Sequence, residues 1–132
     1  MTVAAPILQH SPVVLVAEDD RRLVAFLREW LEVRGYHVIV ATDGQEAVFA
    51  ALRHQPDLIL MDLMLPSLTG GEAAQRIRRH QRTAATPIIA MSVMPDATAL
   101  SEVLPFDGFL EKPLDMAILS QTLGRLTRAL IA

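Results

Sequence analysis

Pro56-Asp57-Leu58-Ile59-Leu60-Met61-Asp62-Leu63-Met64-Leu65-Pro66 is the stretch whose reading decides the fold. An apolar run bounded by turn residues has the composition of a strand covered on both faces, as in a parallel sheet. A carboxylate, Asp62, stands where the strand gives way to a loop. Charged side chains are seldom set in such surroundings without a partner or a task. The C-terminal edge of the sheet is also where ligands bind in open α/β folds. A cap on the following turn is the other reading of Asp62, and this stretch alone leaves both open.

Working outward, short apolar runs alternate with segments of helical period. Val13-Val14-Leu15-Val16-Ala17 reads as a first strand. Leu23, Phe26, Leu27, Trp30 and Leu31 then mark one buried helix face, with Trp30 in the core, and Arg34-Gly35 ends that helix. His37 to Ala41 is a second strand, led in by Tyr36, and Asp43-Gly44-Gln45-Glu46 has the spacing of a capping box opening a second helix. After the third strand, Leu58 to Met61, a second capping box at Thr69-Gly70-Gly71-Glu72 starts a helix running to about Arg82. Thr86 to Met91 is the fourth strand, Phe109-Leu110 anchors a short fifth, and Leu119, Leu123, Leu126 and Leu130 line a final helix. Such alternation predicts an α/β fold with a doubly wound, five-stranded parallel sheet and helices on both faces.

The 132 residues suit one domain, taken as 13–132 after an N-terminal tail of 1–12. A hydrophobic content of 52% excludes a disordered chain, and a net charge of −3 argues against wholesale nucleic-acid binding. With no cysteine, disulfides, thiol chemistry and cysteine metal sites are excluded. His10, His37, His54 and His80 lack ligand spacing and read as surface or strand residues. No basic leader precedes an apolar segment and no run approaches the roughly 20 residues of a membrane span, so a cytoplasmic protein is expected.

In a parallel sheet every strand's C-terminal end opens on one edge. Glu18 and Asp19 follow the first strand, Asp62 the third, Ser92 the fourth and Lys112 the fifth. Three clustered carboxylates repel one another and would raise one another's pKa without a cation. Mg²⁺, a hard ion that takes oxygen ligands, resolves the repulsion and can also hold a phosphoryl oxygen. Lys112 supplies a charge for a second phosphoryl oxygen and the Ser92 hydroxyl a donor for a third. Asp62 is then placed as a nucleophile toward phosphorus. Each residue has a plainer reading alone: Ser92 in a loop, Lys112 ahead of Pro113 at a helix start. Asp20 reads as a helix cap rather than a further ligand.

Together these residues resemble the receiver domain of two-component response regulators. The likeness runs over nearly the whole chain, through Val13 to Asp20, Gly35-Tyr36, Ala41 to Ala47, Pro56 to Asp62, Leu65-Pro66 through Gly70, Pro87 to Ser92 and Lys112-Pro113. It implies a flavodoxin-like sheet of order 2-1-3-4-5. It further implies that Asp62 accepts a phosphoryl group from a phosphohistidine on a sensor histidine kinase or histidine phosphotransfer protein. By the same resemblance Glu18 and Asp19 are the metal-binding acidic pair, the Met64 main-chain carbonyl is a ligand beside Asp62, and Ser92 and Lys112 grip the phosphoryl group. Phe109, three residues before Lys112, matches the aromatic that turns inward with Ser92 as the switch is thrown. Its lack of a tyrosine hydroxyl is expected to matter little.

Two departures stand out. Val93 follows Ser92 where the family usually has a small residue, and its branched side chain is expected to narrow access to Asp62. Residues 94–108 are slightly short and lack the usual Gly-Ala-type turn, and Pro105 ends any helix there at about Leu104. Output is therefore expected to be atypical. Arg76, Arg78, Arg79 and Arg82 read as a solvated helix face. The expectation is a phosphorylation-controlled switch rather than an enzyme, with no output domain in the chain, an unidentified downstream protein partner and homodimerisation left open. A Mg²⁺-dependent phosphatase is disfavoured, because Met64 stands where such enzymes carry a second acid. A receiver-like interaction module that works without phosphorylation is the alternative.

Overall fold

A computed structural model describes residues 11–93 and 106–131, with side chains described as far as Leu126. The elements are β1 (Val13–Ala17), α1 (Arg21–Val33), β2 (His37–Ala41), α2 (Gly44–His54), β3 (Leu58–Asp62), α3 (Gly70–Arg78), β4 (Ile88–Ser92), β5 (Gly108–Glu111) and α4 (Met116–Ile131). All strands run parallel in the order β2-β1-β3-β4-β5. The order implied by the resemblance is thus the observed one.

Strand alternation divides the core in two. Val14, Val16, Leu58, Leu60, Ile89, Met91 and Leu110 meet Leu27 and Leu31 of α1 and Leu119 and Leu123 of α4. On the opposite face Leu15, Ala17, Ile59, Met61 and Ile88 meet the alanines of α2 and Ala73, Ala74 and Ile77 of α3. Every residue of β3 and β4 is buried, which is why the decisive stretch reads as a continuous apolar run rather than an alternating one. The chain leaves β1 for β2 on one side and later places β3 on the other, so a crevice opens beyond the C-terminal end of β1 and β3.

Several sequence expectations need correction. The first helix buries fully only Leu27 and Leu31; Phe26 is 50% exposed and Trp30 is half-buried, because both lie on the helix flank. Trp30 still packs against the edge of the core, and its ring is also covered by the Arg34 guanidinium, 3.6 Å from its centroid. At α2 Asp43 accepts from the Glu46 N–H (2.8 Å), but the Glu46 carboxylate accepts from the Thr42 hydroxyl (3.3 Å), so only the forward half of the box is built there. The third helix stops at Arg78, not Arg82. Its last turn tightens, with the Arg79 and His80 N–H groups donating to the carbonyls of Arg76 and Ile77, and the Thr83 hydroxyl donates to the Ile77 carbonyl (2.6 Å). Arg78 therefore is no solvated side chain: it donates to the Ala84 and Thr86 carbonyls and pairs with Asp107 (2.5 Å), while Arg76, Arg79 and Arg82 are exposed.

The caps at Asp20 and Thr69 are formed as expected. The expectation for residues 94–105, and most of that for the N-terminal tail, lies outside the described residues. Among the described residues no helix is long and apolar enough to cross a membrane.

Candidate functional site

The site assembles because β1, β3, β4 and β5 all end near the same level. β3 delivers Asp62 opposite Met91, so Ser92 is one step further along the neighbouring strand. The Leu63 N–H donates to the Met91 carbonyl (3.1 Å) and the Lys112 N–H to the Ser92 carbonyl (2.7 Å), extending the ladder past the strand ends and fixing both loops. Glu18 continues β1 in the same way, its N–H donating to the Ala41 carbonyl (3.0 Å). Glu18, Asp62 and Ser92 are buried at 1%, 5% and 1% exposure, whereas Asp19 is exposed.

Behind Asp62 the loop turns back at once. The Met64 N–H donates to Asp62 Oδ1 (3.1 Å) and the Gly70 N–H to the Leu63 carbonyl (3.0 Å). Gly70 comes so close that a Cβ there would lie 2.3 Å from the Asp62 carbonyl oxygen, which requires glycine at the start of α3. Asp62 does help hold its own loop, as the turn-cap reading supposed, but through one oxygen only. Its Oδ2 faces Lys112 Nζ at 3.2 Å.

Lys112 Nζ also binds Glu18 Oε1 at 2.5 Å, and Glu18 Oε2 accepts from the Asp20 N–H (3.0 Å). Burial pushes the Glu18 carboxyl above its ordinary value of 4.5, against the opposing pull of Lys112. For Lys112 burial works against the charged form, but the hydrogen bond to Glu18 and the charges of Asp62 and Glu18 outweigh it and hold the ammonium above 10.5. The Lys112–Pro113 peptide is cis.

The carboxylate oxygens of Glu18, Asp19 and Asp62 lie within 4.8 Å of one another. Three acids against one ammonium leave an excess of negative charge in a largely buried crevice, and an all-oxygen donor set of this kind suits a hard divalent cation. The structure thus brings together Glu18, Asp19, Asp62 and Lys112, with buried Ser92 on the adjacent strand end. The Met64 backbone lies against Asp62 through its N–H, while its side chain is 66% exposed. Phe109 is not in this group: it is half-buried on β5 opposite Ala90, two register steps below Ser92. Val93, just past Ser92, is 65% exposed. Sequence reasoning missed that Lys112 already bridges two of the acids, because the 94-position separation of Glu18 and Lys112 hides the contact.

Comparison with known proteins places the fold in a family. The response regulator receiver domain matches residues 14–124. The chain is 37% identical over 105 residues to the response regulator ArlR of Staphylococcus aureus, an alignment covering 78% of this chain and 47% of that protein. It thus spans about half the length of the curated relatives it matches. The receiver domain of the sensor histidine kinase PA1611 of Pseudomonas aeruginosa PAO1, which carries a magnesium ion in its active-site cleft, superposes with a TM-score of 0.81 at 30% identity, covering 89% of this chain and 98% of that one. The chemotaxis response regulator CheY4 of Vibrio cholerae gives 0.81 at 28%, covering 89% and 99%. By its sheet order, its acidic crevice and these matches, the chain belongs to the response regulator receiver domain family of two-component signalling.

Proposed function

We propose that Asp62 is the phosphoacceptor of this receiver and that its phosphorylation switches the domain between two conformations. The observation carrying the reading is the placement of Asp62: one carboxylate oxygen is held by the Met64 N–H, while the other faces Lys112 at 3.2 Å beside Glu18 and Asp19. The Asp62 carboxylate attacks the phosphorus of a phosphohistidine, the P–N bond breaks and the imidazole nitrogen leaves with the electron pair, taking up a proton. The donor is a sensor histidine kinase or a histidine phosphotransfer protein. Lys112 and Ser92 take phosphoryl oxygens, and transfer draws Lys112 from its contact with Glu18 toward the new dianion.

Glu18, Asp19 and Asp62, with the Met64 main-chain carbonyl, would hold a Mg²⁺ ion. When bound, this ion offsets the charge that gathers on the transferring group. Ser92 and Phe109 carry the change outward by shifting a pre-existing equilibrium, and a cytoplasmic protein partner reads it. The domain turns over no substrate of its own.

Intact-mass measurement after incubation with a small phosphodonor and Mg²⁺ tests the reading. One added phosphoryl group is expected on the wild type and none on Asp62→Asn. If neither a small donor nor a phosphohistidine protein adds a group, the domain is an interaction module that works without phosphorylation.

A further inference from the structure

Phe106 and Phe109 bracket the start of β5. Leu110 enters the core beneath α1 and α4, so Phe109, its neighbour along the strand, faces the other side of the sheet. Phe106 packs on that same side, against the cluster that includes Ile77 and Ile88. The two rings meet edge to face, with centroids 5.5 Å apart and planes at 73°. This is the arrangement in which the positive edge of one ring meets the negative face of the other.

The backbone between the rings is fastened. The Asp107 N–H donates to the Ile88 carbonyl (2.8 Å), and its carboxylate accepts from the Ile88 N–H (2.8 Å) and from Arg78 (2.5 Å). Arg78 in turn holds the Ala84 and Thr86 carbonyls. Phe106 is therefore tied through its own side chain and through its neighbour to β4 and the end of α3. Phe109 sits on an edge strand, half-buried and opposite the small side chain of Ala90.

We propose that Phe106 is a positioning residue that holds the Phe109 ring in its unphosphorylated placement. Breaking the edge-to-face contact is then part of what phosphorylation of Asp62 must overcome. The inference rests on the roles given to Asp62 and Phe109 above. It sets the threshold of the switch at a residue outside the phosphoryl cradle. Removing the contact raises the fraction of molecules already in the binding-competent state, and apparent affinity for a phosphoryl mimic rises by the same factor.

The test is calorimetric titration of the metal-saturated full chain with beryllofluoride, a phosphoryl mimic, in Mg²⁺. Phe106→Leu, which keeps an apolar side chain but no ring, is expected to bind about 3- to 10-fold more tightly than wild type. Phe106→Tyr, which keeps the ring, is expected to stay within about twofold. In a Phe109→Leu background the Phe106→Leu change should have no further effect, whereas a merely structural role would leave its effect intact. Should Phe106→Leu not fold, Phe106→Ile is read in its place. Unchanged or weaker binding by the ringless variant, or a gain that persists without the Phe109 ring, overturns the inference. A wild type that binds no beryllofluoride overturns the reading of Asp62 as well, so the two failures are told apart.

Discussion

Lys112 is the counter-ion of two acids, Glu18 at 2.5 Å and Asp62 at 3.2 Å, in a site where both acids are buried. Removing one partner of such a group leaves uncompensated charge out of water. Lys112→Met is therefore expected to lower the stability of the metal-free domain by about 3 kcal/mol in urea unfolding. Added Mg²⁺ should restore more stability to this variant than it adds to the wild type, because it supplies the missing positive charge. Val93 directly follows buried Ser92 and is itself exposed. Val93→Ala is expected to speed both gain and loss of the phosphoryl group by about threefold, a small fraction of a typical barrier. Time courses with a small phosphodonor and after its removal measure both rates, and unchanged rates would remove Val93 from the account. At this scale Asp62, Glu18 and Asp19 were legible as strand-end acids. The bridge from Lys112 was not, since no local spacing encodes a contact across the sheet.

Among the elements, α3 starts directly against Asp62, whose carbonyl Gly70 approaches. Its capping box is complete: the Thr69 hydroxyl accepts from the Glu72 N–H (3.1 Å), and the Glu72 carboxylate accepts from the Thr69 N–H (3.1 Å). Thr69→Ala should cost about 1 kcal/mol of unfolding free energy, read from urea titrations. The hydrogen bond from the Thr69 backbone N–H, followed by the contact with its hydroxyl, holds the Glu72 carboxyl below its ordinary 4.5. A carboxyl whose folded-state pKa is depressed stabilises fully above its unfolded value, and that contribution is lost as pH falls through the folded value. The stability difference between wild type and Glu72→Gln should accordingly shrink on acidification below about pH 4.5, which a pH series of melts would show.

The other end of α3 shows where sequence reading stopped. The apolar and basic pattern continues to Arg82, but the helix ends at Arg78. There the guanidinium gains the Ala84 and Thr86 carbonyls and Asp107, and the Thr83 hydroxyl takes the Ile77 carbonyl. Those partners lie up to 29 residues away, so the stop signal is tertiary.

At the scale of the whole molecule, site and stability are linked. An ion that binds only the folded crevice stabilises the fold by mass action, about 2.7 kcal/mol at a hundred times its dissociation constant. Calorimetric melts should rise with Mg²⁺ in the wild type and rise much less in Asp19→Asn, whose change lies on an exposed side chain. The sequence by itself determined the element order, the two-faced burial of β3 and the placing of acids, hydroxyl and ammonium at strand ends, because period, turn residues and caps are local signals. It also revealed the exclusion of cysteine chemistry. Only the tertiary structure decided that Lys112 bridges Glu18 and Asp62, that Arg78 stops α3, and that Phe106 leans edge-on against Phe109. Each of these joins residues on separate elements, or across a turn, through distances that one-dimensional spacing does not carry. They arise only when the parallel register sets Met91 beside Asp62 and Phe109 beside Ala90.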